Sequence, residues 1–444
     1  MSRHVALLLN NPFTGDSRSW KLATSLARAG WRVTVVARAR EDLAAREDRD
    51  GFTVIRVAQP RPLSWLPAPS LPVGSMEAAR PGGPGLRARV VDTVGRAAQA
   101  ARYLLLTRRW AADIAAAVPA ADIWQSEGLV TLPVALRLRA MLGGRVVYDS
   151  RDVHVESARF ARLPGPWRRL LARGERRWSR SADAVITVNR PFAAALERML
   201  GLRATIVMNG PVAWQRPDPP ERRFHARFGL APSTRVVLHL GALQPHRGIE
   251  ELVEAIGLVD DAALVIVGDG GRKPAIEALA AAMAHRDRIH FLPAVAPAEI
   301  LPLTASADVA AITIQPSTLN HRLNTPTKLF DAIGAGTPVV ASDLPGMAEI
   351  VRATGCGTLC DPGSPADIAR AIREVLDAPA EVRAALRAAC LRAARGPLAW
   401  DRQVERLLEV YAGLEPGRRG PSVRPASRAR RGRSRARGPS GDTG

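Results

Sequence analysis

The chain repeats one rhythm twice. A short run rich in Val, Ile, Leu and Ala is followed by a segment with helical spacing, and then by another apolar run. In the first half such runs fall at residues 4–9, 32–37, 53–57, 122–125, 145–149, 184–188 and 204–208. In the second they fall at 235–240, 263–267, 288–292, 309–312, 337–341 and 357–360. Helices are expected there at 249–256, 273–283, 297–305, 328–333, 347–351, 365–376 and 381–394. Repeated units of this kind specify parallel strands covered on both faces by helices. Residues 209–220, NGPVAWQRPDPP, interrupt the rhythm and read as a linker. The expected fold class is therefore α/β, with two doubly wound domains and a cleft between them. Ligands of such sheets bind beyond the carboxyl ends of the strands.

At 444 residues the chain is too long for one core. It has no run of 18 uncharged apolar residues, so no membrane-spanning helix is expected. Its start, MSRHVALLLNNPF, reads as a first strand rather than a secretion signal. Cys356, Cys360 and Cys390 are few and odd in number, and no His/Cys set has metal spacing. A reduced, cytoplasmic setting without a metal is expected. Net charge is +21, of which the nine arginines and one aspartate of 416–444 carry +8. Such a balance attracts anionic lipid, nucleic acid or phosphorylated ligands without choosing among them.

Residues 324–342, NTPTKLFDAIGAGTPVVAS, read as loop, helix, glycine stop and buried strand. Pro326 suits a first helical turn, and Thr325 or Thr327 could cap it. The N–H groups and positive dipole end of such a helix suit a diphosphate, with Lys328 adding a point charge. Asp331, one turn further, could grip two vicinal hydroxyls. Phosphate plus diol suggests a sugar nucleotide; the plain alternative is an ordinary capped helix.

Other candidates also follow strands. Gly15 would let backbone approach a phosphate or sugar, or simply make a turn. Asp16 and Arg18 read as loop or first-turn residues. His154, two residues past Asp152, could bond a sugar hydroxyl or shuttle a proton near pH 7, or be structural. Glu127 is a weaker candidate of the same kind. Arg247-Gly248 stands at a helix start, where an arginine opposes the dipole unless an anion lies between them. The glycine turn 268–271 could admit a flat base. Residues 159–180 hold eight arginines with Trp167 and Trp178, which suits an anionic membrane surface or a solvated helix face. Residues 60–84 read as a long loop around Trp65, and the tail from Pro416 as disordered.

Together these pieces resemble a known family. LGALQPHRGIEELVEAI, LVIVGDGG, IHFLPAV, SADVAAITI and TPTKLFDAIGAGTPVVASDLPGMAEIV resemble the second domain of family 4 glycosyltransferases. DSRSWKLATSLARAGWRVTVVA, VVYDSRDVHVES and SADAVITVN resemble that family's acceptor domain. The resemblance implies the GT-B fold, two Rossmann-like domains and a C-terminal crossover helix near Trp400. It places an acceptor-binding domain at 1–212, a nucleotide-sugar domain at 213–396, the crossover helix at 397–414 and the tail at 415–444.

The resemblance further implies a retaining transferase that uses a nucleotide-diphosphate sugar and no metal or other cofactor. Arg247 and Lys328 would hold the diphosphate, and Asp331 the ribose. Gly241 and Gly248 belong to the phosphate motif, and Asn324 and Leu329 to the segment beside Lys328. Gly268, Asp269 and Val295 would flank the base, His154 would touch the donor sugar, and Gly15 would face the phosphates from the other domain. The catalytic set would be His154, Arg247 and Lys328.

Four positions depart from the family's pattern: Leu323 replaces a glutamate, Asp331 replaces the usual Glu, and Ala242 and Arg247 replace Arg and Lys. The expected acceptor is a glycan or lipid-linked molecule, with possible contact to an anionic membrane at the inner face of the plasma membrane and no specific nucleic acid. A GT-B epimerase and a non-catalytic nucleotide- or polyanion-binding protein remain the alternatives.

Overall fold

The computed structural model describes residues 3–59, 106–156, 165–219 and 221–415. The expected loop at 60–84, the start of the basic segment at 159–164 and the tail from 416 lie outside them. The first sheet is built from β1 (His4–Leu8), β2 (Arg32–Arg38), β3 (Arg46–Arg49), β4 (Phe52–Val57), β5 (Ile123–Glu127), β6 (Arg145–Ser150), β7 (Ala184–Thr187) and β8 (Thr205–Ile206). Its order is β3-β4-β2-β1-β5-β6-β7-β8, parallel except where β3 pairs with β4. The second sheet uses β9 (Arg235–Leu240), β10 (Ala262–Val267), β11 (Ile289–Leu292), β12 (Val309–Ile312), β13 (Val339–Ser342) and β14 (Gly357–Cys360). Its order is β11-β10-β9-β12-β13-β14, parallel throughout.

The apolar runs become central strands because both faces of each sheet are covered. Val5 and Leu7 of β1 look toward helix Ser17–Arg28 and the last helix, while Ala6 and Leu8 look toward Trp110, Leu132 and Leu196. In the second sheet Leu264 and Ile266 meet Leu252 and Ile372. On the opposite face Ile312 and Val339 meet Leu329, Phe330 and Ile333. Each fully buried Val, Leu or Ile contributes roughly 1.5–3 kcal/mol.

Helix Arg223–Phe228, β3 and helix Leu319–Leu323 all escape the sequence pattern. β3, REDR, has no apolar face, since it closes the sheet edge with charge. Helix Leu319–Leu323 is only five residues long; Thr318 caps it by accepting from the His321 N–H at 3.1 Å. One expectation is overturned. Helix Thr327–Gly334 starts after Pro326, and neither Thr325 nor Thr327 caps it. Both hydroxyls accept instead from distant asparagines, one in the first domain and one opening the linker: Asn189 Nδ2 to Thr325 Oγ1 at 3.2 Å, and Asn209 Nδ2 to Thr327 Oγ1 at 2.9 Å.

The chain passes twice between the sheets, and the passages touch. A Cβ on Gly210 would lie 1.9 Å from the Leu398 carbonyl oxygen. The Trp400 N–H donates to the Pro211 carbonyl at 2.9 Å. Helix Trp400–Ala412 then lies on the first core, burying Trp400, Leu407, Val410 and Tyr411. Trp400 Nε1 donates to Ser25 Oγ at 2.9 Å, and the Tyr411 hydroxyl donates to Gln125 Oε1 at 2.5 Å. Trp400→Ala is expected to destabilise the protein by about 3–5 kcal/mol. A denaturant midpoint unchanged at constant slope would refute that packing role.

Candidate functional site

The loops after β9, β10, β11 and β12 gather at the carboxyl edge of the second sheet, and glycine sets their spacing. At Gly241 φ is +141° and at Gly268 +150°; a Cβ on Gly268 would stand 2.0 Å from the Gly241 carbonyl oxygen. A Cβ on Gly270 would stand 2.2 Å from the Leu243 oxygen, and one on Gly248 1.9 Å from the Thr313 oxygen. These glycines let backbones touch, so Gly268 and Gly270 have a packing role whether or not a base lies beside them. Asp269 joins two loops: its Oδ2 accepts from the Ala294 N–H at 2.9 Å and its Oδ1 from Lys273 at 3.0 Å. These bonds, the Ala294 one foremost, hold its carboxyl below the usual range. Val295 turns inward against the cluster of Phe224 and Leu238.

Above the glycines sits a pair of cations. Gly248 is the N-cap of helix Ile249–Ala255, whose first turn holds Glu250 and Glu251. Those carboxylates are engaged elsewhere, Glu250 with Arg272 at 2.7 Å and Glu251 with Gln315 at 2.5 Å. Among the described residues the Arg247 guanidinium has no acidic or hydrogen-bonding partner, and burial alone lowers its pKa. Lys328 lies along Gly241, its Cδ 3.8 Å from where a Cβ there would stand. Burial first, then Arg247, brings its pKa down to about 7. Buried His239 lies within the same field, its pKa well below the ordinary value through burial, Lys328 and Arg247. His321 is lowered by burial, Arg247 and His246, with Asp152 acting against them. A positive, partly desolvated pocket beside a helix N-terminus is the arrangement an anion satisfies.

Asp331 is held near pKa 6 by burial, which Lys21 of the first domain opposes. Lys328 and Asp331 share a cavity of about 10 Å³ floored by Leu238, Leu240 and Ile312, room for about one water. A far larger hollow, about 420 Å³ beside Ala388, Leu391 and Arg395, lies on the outer helix Ala380–Arg395 and holds none of these groups. Leu329 points into the core, and its N–H is taken by the Pro326 carbonyl at 3.0 Å. In this arrangement it offers a ligand neither side chain nor donor. Asn324 is half-buried, and its carbonyl oxygen would meet a Cβ on Gly346 at 2.4 Å.

From the first domain, Gly15 is exposed, with no atom within 4 Å of a Cβ position. Asp16 caps helix Ser17–Arg28 by accepting from the Ser19 N–H at 3.0 Å. Arg18 donates to Asp149 at 3.1 Å, and Arg151 is tied to Asp16, Asp149, Ser19 and Glu127. Glu127 is thus committed to Arg151 and Gln125. His154 Nε2 accepts from the Leu129 N–H at 3.0 Å, which places the ring proton on Nδ1. Burial takes its pKa to about 4. The imidazole is neutral at pH 7, so the expected proton shuttle near neutrality does not fit this environment.

Sequence reasoning missed Lys21, Asn189, Asn320 and His321. Asn189 carried one signal, an Asn-Arg-Pro start just after a strand. Lys21 carried none: its Nζ donates to the Gly210 carbonyl at 2.8 Å and lies 4.5 Å over the Trp400 ring. Trp178 of the basic segment packs inward against the core of the first domain, which fits neither a membrane-facing nor a solvated ring; the side chain of Trp167 is not among those described. Among the described residues no group of three His, Cys, Asp or Glu could hold a metal ion, and no helix is long and apolar enough to cross a membrane.

Residues 16–211 match the glycosyl transferase 4-like domain, and residues 221–395 match glycosyl transferases group 1. A 2-deoxystreptamine glucosyltransferase of Streptomyces kanamyceticus is 30% identical over 323 residues, covering 69% of this chain and 80% of that protein. A D-inositol 3-phosphate glycosyltransferase of Geodermatophilus obscurus is 31% identical over 264 residues, 56% of each. Sucrose-phosphate synthase from Thermosynechococcus elongatus shares the fold at TM-score 0.69 and 19% identity, covering 93% of this chain and 99% of that one. Anabaena HepE, solved with UDP-glucose, does so at TM-score 0.64 and 17% identity, covering 92% and 99%. With two largely parallel sheets, a returning last helix and both domain matches in order, the chain belongs to the family 4 glycosyltransferases of the GT-B fold.

Proposed function

We propose that the enzyme moves a sugar from a UDP- or GDP-sugar to a glycan or lipid-linked acceptor with retention of anomeric configuration, in polysaccharide, glycolipid or cell-envelope glycan synthesis. The observation that carries this reading is the pair Arg247 and Lys328, short of acidic partners, beside the first turn of helix Thr327–Gly334. Breaking the anomeric C–O bond leaves positive charge on the sugar and negative charge on the departing diphosphate. Arg247, Lys328 and the first-turn N–H groups supply the charge that stabilises that diphosphate, without a metal or other cofactor. The leaving phosphate oxygen takes the acceptor's proton as the acceptor oxygen bonds to the anomeric carbon on the same face. Domain closure keeps water out. HepE was solved with UDP-glucose, which favours UDP as the nucleotide.

The membrane reading rests on helix Gly165–Arg180. Glu175 and Ser179 face inward, whereas Arg169, Leu170, Arg173, Arg176, Arg177 and Arg180 are exposed. An exposed basic helix face suits anionic lipid headgroups. A second acceptor class comes from the relatives, two of which are named for cyclitols. Nucleotide release from a panel of UDP-, GDP-, ADP- and dTDP-sugars, with lipid extract or a cyclitol added, separates these readings. No release from any donor, with nucleotide binding intact, would favour the non-catalytic alternative.

Arg247→Ala removes a charged hydrogen bond of about 1.5–3 kcal/mol, so kcat/KM is expected to fall roughly 10- to 150-fold. Unchanged turnover and donor affinity would remove Arg247 from the site. A pH effect follows from Lys328, whose pKa in the free protein is about 7. A bound diphosphate raises that pKa. Below pH 7 the ammonium is already present and affinity is full. Above pH 7 binding must take up a proton, and affinity declines until the pKa of the complex is reached. Calorimetry at pH 8 in buffers of different ionisation enthalpy should show that uptake, and Lys328→Met should abolish it.

A further inference from the structure

The segment that leads into the donor site is held by the other domain. Asn189, 3% exposed at the end of β7, uses both ends of its amide. Its Oδ1 accepts from the Phe192 N–H at 2.8 Å and caps helix Arg190–Leu200. That bond fixes the amide's orientation, so Nδ2 points across the cleft. There it donates to the Leu323 carbonyl at 2.7 Å and to Thr325 Oγ1 at 3.2 Å. Two further contacts reinforce the grip. The Val153 N–H donates to Asn320 Oδ1 at 2.8 Å. The Leu323 side chain, 7% exposed, is buried among Val153, Val188, Phe192 and Ala195. From the other side the segment presses on helix Pro345–Thr354, where a Cβ on Gly346 would stand 2.2 Å from the Leu323 oxygen.

Leu323 stands where the family's pattern carries a glutamate. Here the position is apolar and its carbonyl belongs to the first domain's hydrogen bonding. The backbone that follows, 324–328, ends at Lys328 and the first-turn N–H groups.

We propose that Asn189 is a positioning residue of the donor site. By fastening Leu323 and Thr325 it sets the path of residues 324–328, so that Lys328 and the helix N-terminus meet the diphosphate only when the domains are closed. This rests on the nucleotide-sugar reading above. A residue that merely glued the domains together would affect stability and leave the local path alone.

Asn189→Asp separates these roles. It keeps the size and the capping oxygen but removes the amide donors and sets a carboxylate against the Leu323 carbonyl. Amide hydrogen exchange and UDP and GDP titration on the full-length protein provide the test. The expected result is faster exchange at 319–328, preserved protection in helix Arg190–Leu200, and at least fivefold weaker binding of the preferred nucleotide. Thr325→Val, which removes one of the two acceptors, should weaken binding two- to threefold. Exchange at 319–328 as slow as in the wild type, or nucleotide affinity within twofold of it, would overturn the proposal. If the wild type binds neither UDP nor GDP, the donor reading itself fails and this role falls with it.

Discussion

The relative placement of the two sheets depends on a contact that leaves no room for a side chain. Where the chain leaves the first domain and where it returns, Gly210 lies against the Leu398 carbonyl, and Trp400 hydrogen-bonds across to Pro211. A methyl group there would overlap the opposing oxygen. Lys21 then closes the crossing from the first domain, donating to Gly210 and lying on the Trp400 ring. The crossing is thus assembled from residues about 190 and 375 positions apart in sequence. It sets where Asp331 stands relative to helix Ser17–Arg28, and so where the two halves of the cleft meet.

The charges around the cleft are of two kinds, and the difference assigns their roles. On the first-domain side Arg151 touches Asp16, Asp149 and Glu127, and Arg18 shares Asp149. These cations are supplied with carboxylates and hold loops together. On the second-domain side, among the described residues, no carboxylate is paired with Arg247 or Lys328; burial first, and then the field of Arg247, lower the lysine's affinity for protons. Desolvation without compensation is unfavourable in the free protein. It is also what makes a ligand's negative charge worth more there than in water.

Much of this was legible in the sequence, for physical reasons. Parallel strands buried on both faces must be continuous Val, Ile and Leu, so β1, β9, β10 and β12 announce themselves. Glycines directly after strands marked the loops that touch. What sequence could not show was any contact between distant segments. Thr325 and Thr327 looked like local caps, yet Asn189 and Asn209 claim them from 136 and 118 residues away. His154 looked titratable near neutrality until burial and the Leu129 N–H were seen together. Leu323 looked like a missing acid, whereas its side chain fills an apolar seam between domains. Leu329, placed in the donor segment by resemblance, faces the core because it lies on the inner side of its helix.

The edge strand REDR has a consequence for how copies of this protein meet. One rim of the eight-stranded sheet ends in four charged residues, three of them exposed, with Glu47 drawn onto Arg56 of the neighbouring strand. A ninth strand added there would have to strip water from that row of charges and would find no apolar face to match. The opposite rim ends in the two-residue β8, over which the last helix passes. Among the described residues, neither rim of the eight-stranded sheet presents an apolar edge for strand addition, which disfavours sheet extension there as a mode of assembly.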